Sequence, residues 1–149
     1  MEPKKTYRSF RYKADLAWTS ARRGLIKSLS KHDVEVGSPP EFKGEPGVWS
    51  PEELLVGAVN TCMMLTFLAF AVRKEIEPVS YESSAEGMLE NVDGQYRITQ
   101  VTVQPSIVLK SEADLAVAEE IMKSVKENCF ISNSLSGRVT LSPQLRVGA

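Results

Sequence analysis

The chain has 149 residues, the size of one ordinary domain. Hydrophobic residues make up 42% and charged residues 25%, which is typical of a globular protein and excludes disordered and collagen-like architectures. The net charge is −1, so the basic excess expected of a nucleic-acid-binding protein is missing. Two cysteines and one histidine are too few for a disulfide scaffold or for a four-ligand zinc site without carboxylates. With no glycine-rich cofactor motif either, we expect neither a metal nor a cofactor.

The first third of the chain has the patterns of short strands. Apolar and polar residues alternate over Tyr7–Thr19, which predicts a half-buried strand. Ser20–Gly24 is typical of a turn, and Leu25–Leu29 then forms the returning strand of a hairpin. A further strand is expected at Asp33–Val36, and residues 37–48, with three Pro and three Gly, predict a loop.

A long apolar helix is expected next. Ser50 can cap it, Pro51 suits its first position, and Glu53 can close a capping box, while the apolar pattern continues to about Glu75. Residues 54–72 contain no charge over 19 positions, which is near the length that spans a bilayer. Composition alone therefore leaves two alternatives, a membrane span or a helix buried on all sides in a globular fold.

The second half of the chain alternates strands and a helix. Val79–Glu90 and Gln95–Leu109 predict two strands joined by a hairpin turn at Asn91–Gly94. An apolar stripe with helical spacing follows between Ser111 and Asn128, and Arg138–Val147 predicts a last strand.

Hairpins, rather than strands alternating with helices, favour an antiparallel α+β fold in a single domain over residues 1–149. A helix that is apolar on every face needs cover on all sides. We therefore expect sheets on both sides of the long helix, one of which a second subunit can supply.

The two cysteines admit two interpretations. Cys62 lies inside the apolar helix and Cys129 just after the second helix. Both can be buried small hydrophobes, since free cysteine is among the most buried residue types. Alternatively they form a redox pair, in which the attacking thiol must be a thiolate. Apolar neighbours raise the pKa of a mid-helix thiol, so this hypothesis requires a cation from elsewhere in the chain, held by a carboxylate.

The chain offers candidates for both partners. The turn at residues 21–24 supplies Arg22 or Arg23, although a solvated turn explains both equally well. Capping already accounts for Glu53, whereas Glu52 has no local role beyond a favourable charge in the first helical turn.

Three segments together resemble the OsmC/Ohr thiol peroxidases, the osmotically inducible and organic hydroperoxide resistance proteins. Residues 50–55 (SPEELL), with Cys62 ten positions after Glu52, resemble the family's first motif. Residues 129–135 (CFISNSL) resemble its Cys-Pro-x-Ser-Asn segment, and Arg22-Arg23-Gly24 resembles its Arg-x-Gly turn. The resemblance extends from about Tyr7 to Val147, with two departures: Phe130 stands where the family usually has Pro, and Asn60-Thr61 replaces small apolar residues.

This resemblance implies a role for four residues. Cys62 would be the peroxidatic thiol and Cys129 the resolving thiol. Arg22 would hold the thiolate and polarise the peroxide, and Glu52 would orient Arg22, with Arg23 as a rival to Arg22.

The resemblance also implies an assembly and a reaction. The assembly is an intertwined homodimer whose two central helices are wrapped by sheets, which argues against a membrane span. The reaction reduces a hydroperoxide to an alcohol through a sulfenic acid and an intramolecular disulfide, which a dithiol, typically a lipoyl group, resets. An apolar lining would favour organic hydroperoxides over hydrogen peroxide. The candidates are Met63, Met64, Phe67 and Phe130, which core packing explains equally well.

Because the charged start of the chain lacks the apolar segment of a signal peptide, we expect a cytoplasmic protein without nucleic-acid or membrane partners. Two rival hypotheses remain at this point. One is a stress or small-molecule-binding protein with the same fold and no peroxidase activity. The other is an interaction domain in which both cysteines are inert.

Overall fold

The computed structural model describes residues 1–148, whose contacts divide into two compact units, Met1–Pro51 and the part from Glu52 onward. The first unit holds an antiparallel sheet of three strands in the order β1-β2-β3. The strands are β1 (Asp15–Ser20), β2 (Arg23–Lys27) and β3 (Val34–Gly37), followed by a short 3-10 helix at Pro40–Phe42. The predicted hairpin and third strand are confirmed.

The first strand is shorter than its alternating pattern predicts, and the expectation of a strand from Tyr7 is wrong. Asp15 pairs with Lys27, the last residue of β2, so β2 offers no partner to residues before Asp15. Nor is the apolar face of β1 half-buried, because every residue of the strand is exposed, including Trp18 at 78%.

The second unit begins with α1 (Pro51–Arg73), which has proline at its first position and acidic residues in its first turn. This helix is long and apolar enough to cross a membrane, a test that the core helix of a globular protein also passes. One of its faces is fully buried, consisting of Val59, Met63, Phe67 and Ala71. The opposite face is exposed, with Leu65 at 55% and Val72 at 76%. Within a single chain, α1 is therefore buried on one face and not on all sides.

A long antiparallel hairpin joins β4 (Ser80–Val92) to β5 (Gln95–Leu109). Its two-residue turn places Asp93 at φ 52° and Gly94 at φ 88°, which is the left-handed geometry that tight hairpins require. The side chain of Asn91 accepts a hydrogen bond from the Gly94 N–H over 3.0 Å. The predicted hairpin is thus confirmed.

The buried side of α1 packs directly on β4. At Gly87 a Cβ atom would come within 2.5 Å of the Val56 side chain, so glycine allows the helix to approach the strand closely. One turn further along, the Asn60 side chain donates to the Ser83 carbonyl over 3.4 Å. These contacts fix the rotation of the helix, and with it the direction of Cys62.

The remaining elements are α2 (Glu112–Asn128), α3 (Phe130–Asn133), β6 (Arg138–Leu141) and β7 (Gln144–Val147). As predicted, α2 starts at a Ser111 cap, whose hydroxyl accepts from the Asp114 N–H over 3.1 Å.

The predicted last strand is in fact two strands, because Pro143 has no N–H for a sheet ladder and interrupts the pairing. Both β6 and β7 pair with β5 in the parallel direction. The sheet of the second unit is therefore mixed rather than purely antiparallel, while the α+β fold with a central helix is confirmed. Its core contains the buried faces of both long helices and the inner face of β5, including Val101, Val103, Ile107 and Leu109.

Candidate functional site

The structure brings the two cysteines together. Cys62 lies in the middle of α1 and is half-buried, whereas Cys129 lies between α2 and α3 and is 0% exposed. Both thiols are free, and each side chain acts on the pKa of the other. Two residues 67 positions apart in the sequence thus form a dithiol pair inside the second unit.

The chain around Cys129 is held in a defined conformation. The Ser132 N–H donates to the Cys129 sulfur over 3.4 Å, and the Asn133 N–H donates to the Cys129 carbonyl over 3.0 Å. The Asn133 side chain also donates to the Glu127 carbonyl over 3.0 Å, which links the segment to the last turn of α2. The role of Asn133 in ordering this loop follows from these two bonds.

Opposing effects act on the Cys62 thiol. Burial raises its pKa, but hydrogen bonds from the Cys129 side chain, from the backbone of Ile131 and Phe130 and from Thr66 outweigh burial. The pKa of Cys62 is therefore lowered from its ordinary value. A larger fraction of this thiol is ionised at neutral pH than of an ordinary cysteine.

The pKa of Cys129 is shifted in the opposite direction. Burial, followed by its hydrogen bond with Cys62, raises the pKa of Cys129 to about 11. Cys129 therefore stays protonated at neutral pH and can donate to a Cys62 thiolate. The two thiols therefore differ in the direction of their pKa shifts, as a stepwise redox reaction requires.

Sequence reasoning missed these donors, and the expectation that only an imported cation can lower the pKa of Cys62 is wrong. Thr66 lies four positions after Cys62 on the same helix face, so helical spacing gives a signal for it. Its hydroxyl lies 2.7 Å from the Cys62 carbonyl and has one proton, which it can donate either to that carbonyl or to the sulfur. The donors at Phe130 and Ile131 are main-chain groups, which no pattern of side chains reveals.

The two arginines lie in the first unit, at the turn between β1 and β2. Ala21 has φ 44° there, and the Arg22 guanidinium donates to the Phe42 carbonyl over a long 3.4 Å. Arg23 forms an ion pair with Glu45 at 2.8 Å, which holds its side chain within that unit. Arg22 is the more loosely held of the two.

Glu52 lies in the first turn of α1, in the second unit. One of its carboxylate oxygens is buried without a hydrogen-bond partner among residues 1–148. A buried carboxylate oxygen that lacks a donor costs free energy, and a cation or an N–H group beside it removes that cost.

Two of the four apolar residues expected to line the site are core residues. Met63 and Phe67 are 0% exposed and belong to the hydrophobic core, so they cannot contact a substrate. Phe130, in contrast, is 81% exposed next to the cysteine pair. Of the four residues, Phe130 is therefore the exposed one, and Met64 is half-buried.

No cluster of three or more metal-ligating side chains occurs among residues 1–148.

The segment that contains both cysteines is similar in sequence to known proteins. A family model described as "OsmC-like protein" matches residues 44–144, which include both cysteines and Glu52. The uncharacterised protein YmaD of Bacillus subtilis is 30% identical over 117 residues, which cover 76% of this chain and 78% of that protein. The peroxiredoxin OsmC of Escherichia coli is 26% identical over 110 residues, or 74% of this chain and 76% of the relative.

The fold recurs in a solved structure, an OsmC-like protein of unknown function from Vibrio cholerae. That structure has a TM-score of 0.82 at 24% identity and covers 91% of this chain and 99% of its own. The fold resemblance and the match over most of the sequence agree with the three motifs, and the chain belongs to the OsmC-like protein family.

Proposed function

We propose that the protein is a thiol-dependent peroxidase that reduces organic hydroperoxides to alcohols. The observation that carries this proposal is the pair of neighbouring thiols in which the pKa of Cys62 is lowered and that of Cys129 is raised. The family and a relative named a peroxiredoxin support a hydroperoxide-related redox function. The exposed Phe130 ring favours substrates with an apolar group over hydrogen peroxide.

The reaction follows from the two thiols. The Cys62 thiolate attacks the distal peroxide oxygen, the O–O bond breaks, and the leaving alkoxide takes up a proton to give the alcohol. Cys62 is now a sulfenic acid, and the Cys129 thiol attacks its sulfur to form the disulfide and release water. A dithiol reductant then restores both thiols by thiol–disulfide exchange and is itself oxidised to a disulfide. We propose that this reductant carries a lipoyl group.

Arg22 and Glu52 complete the proposed site. The Arg22 guanidinium polarises the peroxide and stabilises negative charge on the departing oxygen. Glu52 is a positioning residue, whose buried unpaired oxygen accepts from the guanidinium. Glu52 precedes Cys62 by ten residues, which is about 15 Å along a straight helix. An arginine that touches Cys62 therefore does not reach the Glu52 of the same helix.

A homodimer with antiparallel central helices removes this difficulty, because the start of one helix then lies beside the middle of the other. The exposed face of α1 supports it, since an uncharged stripe repeats every three or four residues, at Thr61, Leu65, Ala69 and Val72. The first unit adds an uncovered set of large apolar side chains, including Phe10, Leu16 and Trp18. We propose that a second copy of the chain covers both surfaces.

We further propose that residues 1–149 act as one domain within this intertwined dimer, located in the cytoplasm. Light scattering of the purified protein at micromolar concentration should give twice the 16.5 kDa mass of the chain. A fully active monomer would contradict the shared site.

Turnover tests the proposed activity. The reduced protein should consume cumene hydroperoxide catalytically when dihydrolipoamide is supplied, more slowly with hydrogen peroxide, and poorly with a monothiol reductant. The dithiol matters because it releases the Cys62–Cys129 disulfide by an intramolecular second exchange. If no hydroperoxide is consumed and both thiols persist, the protein is instead a member of the fold without peroxidase activity.

A further inference from the structure

A small cavity lies in the second unit, where the start of α1 meets β5 and β6. Its volume is about 180 Å³. Five apolar residues from three parts of the chain line it: Leu55, Ile98, Val101, Leu135 and Val139. A cavity of about 150 Å³ with apolar walls is large enough for benzene. The cavity therefore has room for an apolar group of about six carbon atoms.

The walls of the cavity extend from the core to the surface. Val101 and Val139 are paired in the parallel β5–β6 ladder, and both are buried. Leu55 and Leu135 are half-buried, so a ligand can enter from their side. Gly137 brings the segment before β6 close to β5, because a Cβ atom there would lie 2.6 Å from the carbonyl oxygen of Ile98.

A single cation accompanies these apolar walls. Of the described residues that line the cavity, only Arg97 is charged. Its guanidinium forms no ion pair within residues 1–148. Glu90 lies opposite Arg97 in the β4–β5 ladder, but its carboxylate accepts a hydrogen bond from the Thr99 hydroxyl instead. Arg97 is therefore available to an anion, and its planar guanidinium matches a carboxylate with two parallel hydrogen bonds.

We propose that this cavity binds a short-chain monocarboxylic acid, with the alkyl chain between the apolar walls and the carboxylate on Arg97. The site is separate from the thiol pair. Leu55 precedes Cys62 by seven residues, which is about 10.5 Å along α1. The inference thus goes beyond the proposed peroxidase activity, and occupancy of the cavity does not depend on that activity.

A series of carboxylates tests the fit of the alkyl chain. Each methylene that becomes buried should strengthen binding about fourfold, so hexanoate should bind about 16-fold more tightly than butanoate. Because about six carbon atoms fill the cavity, octanoate should gain much less than a further 16-fold over hexanoate. Dissociation constants come from titrations followed in ¹H–¹³C methyl spectra of the full chain. A gain that stays constant from butanoate to octanoate, or no gain at all, would contradict a cavity of this size.

The same spectra locate the ligand and test the role of the cation. Hexanoate should shift the methyl signals of Leu55, Leu135 and Val139. Arg97→Gln should weaken hexanoate binding about fivefold, the effect of losing an exposed ion pair, and should leave the binding of 1-hexanol unchanged. Arg138→Gln is the matched control, because Arg138 is also an exposed strand residue but does not line the cavity.

Two outcomes would overturn the proposal. One is an equal loss of hexanoate binding in Arg97→Gln and Arg138→Gln, which would indicate attraction to the general charge of the protein. The other is a set of methyl shifts confined to residues outside the cavity. Neither readout uses a peroxide or a thiol reagent, so this inference can fail while peroxidase activity stands, and the reverse.

Discussion

Cys62→Ser is expected to abolish hydroperoxide consumption, because the hydroxyl of serine does not ionise at neutral pH and cannot form a sulfenic acid. Cys62 is the thiol whose pKa is lowered and is half-buried, so a peroxide can reach it. Cys129 has a pKa raised to about 11 and is fully buried, so it cannot take over the attack. The rate of cumene hydroperoxide consumption should fall to the rate measured in buffer without protein.

Cys129→Ser is the matched control, since it leaves the attacking thiol in place. This variant should consume one equivalent of hydroperoxide and then stop, because the sulfenic acid on Cys62 has no partner thiol. Dimedone should label Cys62 in this variant, and excess peroxide should over-oxidise it. The assignment of roles is reversed if Cys129→Ser prevents the first turnover and Cys62→Ser does not.

Arg22→Ala should slow peroxide reduction by about 100-fold, the effect of removing one preorganised donor from a developing oxyanion. Alkylation of Cys62 should slow much less, since donors from residues 129–131 already act on its pKa. Stopped-flow measurement of both reactions tests this difference. A wild-type rate of peroxide reduction would contradict the role of Arg22.

Arg23→Ala is the control for Arg22→Ala. Arg23 is paired with Glu45, although its Nε is buried without a partner in the described part of the chain. Its removal should affect stability more than the rate of peroxide reduction. A larger loss of rate in Arg23→Ala than in Arg22→Ala would reassign the functional arginine.

Mixed dimers test whether the arginine acts across the interface. A dimer assembled from one Cys62→Ser subunit and one Arg22→Ala subunit contains one complete site if Arg22 acts on the partner, and none if it acts within its own subunit. We expect the purified mixed dimer to recover about half of the wild-type activity, one of two sites. No recovery would place Arg22 and Cys62 in the same subunit.

Much of the fold could be predicted from local patterns. The Ser50-Pro51 start of α1, the Ser111 cap of α2 and the Asp93-Gly94 turn are chemical signals that act within a few residues, and each lies where it was expected. Local patterns predicted the ends of strands less well, because these also depend on a neighbouring strand to pair with. The start of the strand expected from Tyr7 has no neighbouring strand within residues 1–148, and the last strand is divided at Pro143.

The candidate site could likewise be predicted only in part. Motif spacing identified Cys62 and Cys129, and the structure makes them neighbours. Sequence could not reveal the main-chain donors at Phe130 and Ile131, because any residue but proline offers the same N–H. Nor could it separate Met63 and Phe67, which are buried, from Phe130, which is exposed, since the three are equally apolar. Burial is a property of packing, and residue type indicates it only on average.

The central claim is that Cys62 and Cys129 form a disulfide in response to a hydroperoxide. The most direct measurement treats the fully reduced protein with one equivalent of cumene hydroperoxide and determines free thiols, intact mass and the cross-linked peptide. The account predicts that both thiols are lost, that the mass falls by two protons, and that one peptide pair joins the two cysteines. Two persistent thiols at unchanged mass would contradict it.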